Sequence, residues 1–365
     1  TGKLIETVRH EVLGFSVLDK LLEADWLEEI AVSDGPLRVY HKKHGWLETD
    51  LFIADKKLVS IVNKISKPLW RRLTLQNPRL NACLDFGRIH AAIPPVTKSP
   101  SLTIRKFNKT PFSAHELVEN RMISPEALAF LWMAVQCDSN VLLAGNTGSG
   151  KTSLLNTLSC FIPENERVII VEETPEVNLP HEHQVRLTVN ESLEISMADL
   201  VADTLRMRPD RVIVGEVRTP EEAKAFANTM LAGQGKSSFA TFHAQNAREA
   251  MLRLVNLGVN KCDLCAFDYI IVVRRWTDFG KNRDVRRVVE IARMNKESDG
   301  IETLFAFDPK KDALKRTGDL FSSKIGYALG LSEKTFDAEL LRRKRNLEKP
   351  LSFVEFFRVI NNGPV

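Results

Sequence analysis

Eight consecutive residues, Gly145-Asn146-Thr147-Gly148-Ser149-Gly150-Lys151-Thr152, have the spacing of a loop that cradles phosphate. Glycines admit left-handed backbone and let successive N–H groups turn inward on phosphate oxygens, while a following helix presents its positive end. In such a loop Lys151 reaches the β- and γ-phosphates and the Thr152 hydroxyl ligates Mg²⁺; Ser153 is counted with them as a nucleotide-binding position. The same chemistry asks for a carboxylate at a neighbouring strand end, and Val212-Ile213-Val214-Gly215-Glu216 offers Glu216. Val168 to Val171 runs into Glu172-Glu173-Thr174-Pro175-Glu176, where any one of three carboxylates could orient an attacking water. Thr241-Phe242-His243 ends a further strand, and His243 can donate to a γ-phosphate whether neutral or cationic.

These residues need strands that end on one side of a sheet. From Val141 onward short apolar strands alternate with helical segments: Val141 to Ala144, Val168 to Glu172, Val212 to Gly215, Ser238 to His243 and Ile270 to Val273, with a helix predicted over Met197 to Arg206. The alternation predicts an α/β fold with a parallel sheet covered by helices on both faces. Ser124, Pro125 and Glu126 predict the start of a helix reaching Val135. Upstream, Arg38 to His41 and Trp46 to Thr49 read as a hairpin, Lys57 to Ser66 as a helix, and Arg88 to Ile93 and Ser101 to Phe107 as strands. The expected organisation is an N-terminal α+β domain over residues 1–107, a linker at 108–122, the domain of the phosphate loop at 123–295 and a mainly helical part at 296–365.

Composition narrows the classes further. With 365 residues, 44% hydrophobic and 27% charged, the chain is ample for a buried core and unlike a disordered or fibrous one. A formal charge of +4 is too small a bias to argue for nucleic acid or acidic lipid. Five cysteines without a dense framework fit a reducing interior, hence the cytoplasm. The longest apolar run, Ala127 to Val135, falls short of the ~20 residues of a membrane helix. The sequence starts at Thr1 rather than Met, which leaves room for upstream residues.

The phosphate loop, the Glu-Glu-Thr-Pro-Glu box, Leu205-Arg206-Met207-Arg208-Pro209-Asp210 leading to Val214-Gly215-Glu216-Val217-Arg218, and Thr241-Phe242-His243-Ala244 stand in the order of the secretion ATPase superfamily, which the chain resembles. That group includes the GspE and PilT motors and the type IV secretion ATPases. Gly87-Arg88-Ile89-His90 and Leu102-Thr103-Ile104-Arg105-Lys106-Phe107 resemble its N-domain segments, so the likeness covers residues 17 to 295. The resemblance implies a RecA-like P-loop ATPase domain that binds ATP and Mg²⁺. It implies Glu176 as general base, Glu216 as the Walker B carboxylate, His243 as a γ-phosphate sensor and Arg88 and Arg105 as arginine fingers. It further implies a homohexamer in the cytoplasm, peripheral to the membrane, working on an inner-membrane platform protein of a secretion or pilus system. Within the group the Arg38 to Lys43 hairpin, the Leu102 to Phe107 strand and the helical tail past Phe305 look most like the archaeal GspE-like branch.

A RecA-like DNA translocase or helicase shares the core fold and is the alternative. Near-balanced charge and the lack of a basic, aromatic reading segment weigh against it. Asn260-Lys261-Cys262-Asp263 imitates a guanine-reading box but follows no β-branched strand, and Cys262 with Cys265 lacks a second pair of zinc ligands. The run Arg342 to Arg345 reads as a solvated helix face that could also touch acidic lipid.

Overall fold

A computed structural model describes residues 14–107, 110–190, 193–233, 235–278, 280, 283–295 and 300–362. The chain divides into two compact units, Thr1–Lys109 with Asp278–Asp284, and Thr110–Thr277 with Val285–Val365.

In the first unit the elements run α1 (Leu18–Glu23), β1 (Leu27–Val32), β2 (Arg38–His41), β3 (Gly45–Glu48), α2 (Asp55–Ile65), β4 (Arg79–Leu84), β5 (Gly87–Ala92) and β6 (Ser101–Lys106). The strands form one antiparallel sheet in the order β3-β2-β1-β6-β5-β4. Leu58, Ile61, Val62 and Ile65 recur at helical spacing on α2 and pack in one core with Ile30, Ile89, Leu102 and Ile104 of the strands. Tyr40 donates its hydroxyl to Asp284 Oδ2 at 3.1 Å inside this unit.

The second unit opens with α3 (Ala114–Glu119), α4 (Pro125–Gln136), β7 (Val141–Gly145), α5 (Lys151–Ser159), β8 (Val168–Glu172), β9 (Gln184–Thr188) and α6 (Met197–Thr204). It continues through β10 (Arg211–Val217), α7 (Pro220–Leu231), β11 (Ser237–Phe242), α8 (Ala247–Asn256), β12 (Tyr269–Asp278), β13 (Arg283–Asn295), β14 (Gly300–Asp308) and β15 (Ala313–Arg316), and ends in α9 (Ser323–Leu329), α10 (Glu333–Leu347) and α11 (Phe353–Asn362). The nine-stranded sheet has the order β15-β14-β13-β12-β7-β11-β10-β8-β9. Pairing is parallel from β12 across to β9 and antiparallel through β13, β14 and β15. Every residue of β7 and of β8 is buried, as strands covered on both faces must be.

Local chemistry explains the helix starts. Ser124 accepts the Ala127 N–H at 3.3 Å with Pro125 in the first turn, and α4 is buried all round from Ala127 to Val135, so that apolar run is core. Reciprocal capping boxes start α3 at Ser113 and Glu116, α6 at Ser196 and Asp199, and α7 at Thr219 and Glu222. No helix among the described residues is long and apolar enough to cross a membrane.

Several expectations are corrected. The sheet is mixed rather than purely parallel, because β13, β14 and β15 pair antiparallel beyond the parallel strands. The stretch after Glu172, expected as a connection, contains β9, whose alternation of Val185 and Leu187 spans five residues only. The C-terminal part is mainly helical as expected, with two strands ahead of the helices: Leu304 and Phe305 are buried in β14, and helices begin at Ser323. Within the expected linker, residues 108 and 109 lie outside the described residues, and α3 occupies Ala114–Glu119. In the Arg342 to Arg345 run Arg343 is buried, its guanidinium 4.8 Å from the Trp132 ring centroid and donating to Gln136 Oε1 at 2.6 Å and Glu339 Oε1 at 2.7 Å. The long arginine stem reaches inward where a solvated face was expected.

At the start of β10 a fully buried Arg211 donates to Glu166 Oε2 at 2.5 Å, Ser237 Oγ at 2.5 Å and Asp138 Oδ1 at 2.7 Å, and Lys236 adds a bond to Glu166 Oε1 at 2.6 Å. Removing one member of such a group leaves a buried charge underpaired. Arg211→Met is therefore expected to lower unfolding free energy by about 3 kcal/mol in urea titration. A loss below about 1 kcal/mol would mean that packing at this edge stands without the ionic group.

Candidate active site

Sheet order places β11 beside β7, β10 beside β11 and β8 beside β10. In register, Ala144 pairs with Phe242, Val214 with Ala240, and Val171 with Val214. The residues that follow those pairs, Gly145, His243, Gly215 and Glu172, therefore reach the same carboxyl edge, where open parallel sheets bind ligands.

The loop after β7 is shaped by its glycines. Gly148 has φ +70°, and a side chain there would meet Arg275 Nη1 at 2.8 Å; Gly150, with φ +100°, precedes α5. Lys151, buried at the head of α5, donates its ammonium to the carbonyls of Gly145 at 2.9 Å and Asn146 at 3.2 Å. The buried Ser149 Oγ has no hydrogen-bond partner among the described residues. A buried hydroxyl left so, beside Lys151 at the N-terminus of α5, suits an anionic ligand, and the loop fits a nucleotide phosphate on that ground. Thr147 is exposed, while Thr152 and Ser153 lie half-buried on the first turn of α5.

Glu216, at the far end of β10, accepts from Arg218 Nε at 2.9 Å and Nη2 at 2.6 Å through Oε2, while His243 Nε2 meets Oε1. Arg218 also donates to Glu173 Oε2 at 2.5 Å and so joins two of the acidic strand ends. Burial, and next the charge of Lys151, hold the His243 pKa below the ordinary histidine value. The neutral ring is thus favoured, with Nε2 facing the Glu216 carboxylate. Thr241 Oγ1 donates to the Gly215 carbonyl at 2.5 Å, tying β11 to β10 just before both side chains.

The three carboxylates of the Glu-Glu-Thr-Pro-Glu box have different surroundings. Glu172 is buried, Glu173 is exposed and paired with Arg218, and Glu176 is half-buried. Gly215 makes room for Glu172, since a Cβ at that position would stand 3.1 Å from Glu172 Cγ. Burial pushes the Glu172 carboxyl up to about 7, against hydrogen bonds from Val177, Arg186 and Glu176 that favour the ionised form.

Lys151, Glu216, His243 and the acidic box thus share one edge of one unit. Arg88 and Arg105 belong to the other unit, where they are cross-strand partners of β5 and β6, with Arg105 Nε 3.9 Å from Glu29 Oε1. Two arginines were missed in sequence. Arg275 donates its backbone N–H to Asn146 Oδ1 at 3.3 Å, and Arg286 donates Nε to the Gly148 carbonyl at 2.9 Å. They approach the loop from β12 and β13, more than a hundred residues along the chain, and no local spacing announces them. Among the described residues no three His, Cys, Asp or Glu side chains gather as a metal cage, and Cys262 and Cys265 are free, exposed thiols.

An unfolded glutamate near 4.5 and a folded one near 7 make the stability contributed by protonated Glu172 present below about 4.5 and lost as pH rises through about 7. In Glu172→Gln that dependence is absent. The stability difference, wild type minus variant, is expected to fall by about 3 kcal/mol from about pH 5 to about pH 8 in urea titrations. A difference flat across that range would remove the buried-acid description of Glu172.

The sequence profile of the family described as Type II/IV secretion system protein matches residues 18–303. A protein of Methanocaldococcus jannaschii, MJ0781, is 39% identical over 230 residues, 58% of this chain and 31% of its own length. MJ0900 of the same organism is 30% identical over 371 residues, covering 96% of this chain and 66% of the relative. The chain therefore spans less than two thirds of the length of either of these relatives. Among solved structures, the ATPase DotB of Yersinia pseudotuberculosis aligns with a TM-score of 0.56 at 17% identity, over 89% of this chain and 84% of that one, a likeness of fold. Because the profile runs from the first antiparallel sheet through the phosphate loop to the far hairpins of the second, it describes a shared chain more than a shared motif, and the protein belongs to the Type II/IV secretion system protein family.

Proposed function

We propose that the chain is an ATP-hydrolysing motor of a protein-secretion or pilus-type machine. The observation that carries this reading is the convergence of the phosphate loop, His243, Glu216 and the acidic box at the ends of four neighbouring strands. Family membership supports a secretion motor over a nucleic-acid translocase. Two relatives from Methanocaldococcus jannaschii support the archaeal branch.

In this reading the loop N–H groups and Lys151 bind the β- and γ-phosphates of ATP, and Ser149 gains a partner there. Mg²⁺ prefers oxygen donors and keeps most of its waters, so the Thr152 hydroxyl and Glu216 are a sufficient protein set. When bound it neutralises charge on the β- and γ-oxygens. Glu176 takes the proton of the attacking water. His243, neutral at working pH, holds its Nε2 proton between Glu216 and a γ-phosphate oxygen, so phosphate release changes its partner. Arg88 and Arg105 add cationic charge to the developing phosphate as fingers. A homohexamer at the cytoplasmic face of a membrane, acting on a platform protein, is the assembly in which this hydrolysis would perform work.

Lys151→Ala should lose nucleotide binding. Glu176→Gln should bind a fluorescent ATP analogue as wild type does and lose roughly a hundred-fold or more in kcat. Steady-state hydrolysis against protein concentration, with light scattering and parallel runs containing DNA, tests the motor. Turnover that rises with assembly and ignores DNA is expected; turnover that requires DNA would transfer the chain to the translocases. Unchanged hydrolysis in Arg88→Ala and Arg105→Ala within an assembled particle would end the finger assignment.

A further inference from the structure

The segment that carries Glu176 leaves β8 through Thr174 and Pro175, and as a connection between strands it would ordinarily be the most variable part of the site. Here its main chain is held from two sides. Glu172 Oε1 accepts the N–H of Glu176 at 3.0 Å and of Val177 at 2.8 Å. Arg186, from β9, donates Nη1 to Glu172 Oε2 at 2.5 Å and Nη2 to the Val177 carbonyl at 2.6 Å. On the other side Asn156, in the second turn of the helix that begins at Lys151, donates Nδ2 to the Glu176 carbonyl at 3.5 Å and accepts the Asn178 N–H through Oδ1 at 3.0 Å. Glu172 is 2% exposed and Asn156 is 7% exposed, so these bonds are little contested by water.

We propose that Asn156, Glu172 and Arg186 form a latch that fixes the backbone of residues 176–178 and thereby sets where the Glu176 carboxylate meets the attacking water. All three are positioning residues of hydrolysis. The inference rests on the motor reading above and assigns work to side chains that reading leaves idle. Asn156 ties the base-bearing segment to the helix whose N-terminus receives phosphate, so loop and base are referred to one rigid element. The fork of Arg186 satisfies a carboxylate and a carbonyl together, which the point charge of a lysine cannot do with equal geometry. A carboxylate displaced by about 1 Å from a near-attack position loses on the order of a hundred-fold in rate while the ligand still binds.

The experiment compares wild type, Arg186→Met and Arg186→Lys in steady-state ATP hydrolysis, with affinity for a fluorescent ATP analogue measured on the same samples. Arg186 is 31% exposed at its side chain, so methionine fills the site without burying a new polar group. The latch predicts an Arg186→Met kcat down about a hundred-fold, with KM and analogue affinity within about two-fold of wild type, and partial recovery of kcat in Arg186→Lys. An Arg186→Met kcat within about two-fold of wild type overturns the latch, and so does a loss expressed wholly in KM. If Arg186→Met fails to bind the analogue, Asn156→Ala, acting from the opposite side, decides by the same split. Absence of turnover in wild type, or full turnover in Glu176→Gln, overturns the motor reading or the role of Glu176 instead, so the two failures are told apart.

Discussion

Everything at the candidate site depends on β7 being hydrogen-bonded along both edges and covered on both faces. A strand so enclosed has no freedom to shift: a slip of one residue would reverse which side chains enter each core. Its register against β11 and β12 therefore decides where Gly145 ends and where the phosphate loop must turn. Parallel pairing carries the same alignment outward to β10 and β8, so carboxylates separated by dozens of residues arrive at one level. In an antiparallel arrangement alternate strands would deliver their ends to opposite edges, and no such row could form.

Charge is distributed along that sheet in two ways. At the strand starts Arg211 is fully buried, and its guanidinium is matched by Glu166, Asp138 and the Ser237 hydroxyl. Such groups hold a specific geometry more than they add stability, because desolvation offsets most of the attraction. At the strand ends Arg218 bridges Glu173 and Glu216 in partial contact with solvent. Partial exposure leaves these partners more exchangeable than the buried group around Arg211.

The acidic box shows how neighbours of one residue type acquire different duties. Glu172, Glu173 and Glu176 are three equivalent carboxylates in a string of letters. The fold buries the first against Gly215, pairs the second with the arginine that follows β10 and leaves the third half-buried on a braced segment. Gly215 is small because Glu172 lies against it, which accounts for a glycine in front of the acidic residue of this strand.

Much was legible in sequence for local reasons. The phosphate loop announces itself because glycine and lysine positions are dictated by backbone geometry within eight residues. The strands of the large sheet are short apolar runs, and the helix starts carry their caps: Ser124, Ser196 and Thr219 each bind a backbone N–H within three residues. β9, the strands β14 and β15, the buried Arg343, and the approach of Arg275 and Arg286 to the loop were not legible. Each depends on partners distant along the chain, and a half-exposed edge strand or a long cationic side chain has no local pattern that separates it from surface. The sequence by itself determined which residue types stand at the strand ends, and hence the expectation of phosphate chemistry. Only the tertiary structure decided which carboxylate is buried, which is paired and which is braced, because hydrogen bonding and desolvation act through space and not along the chain.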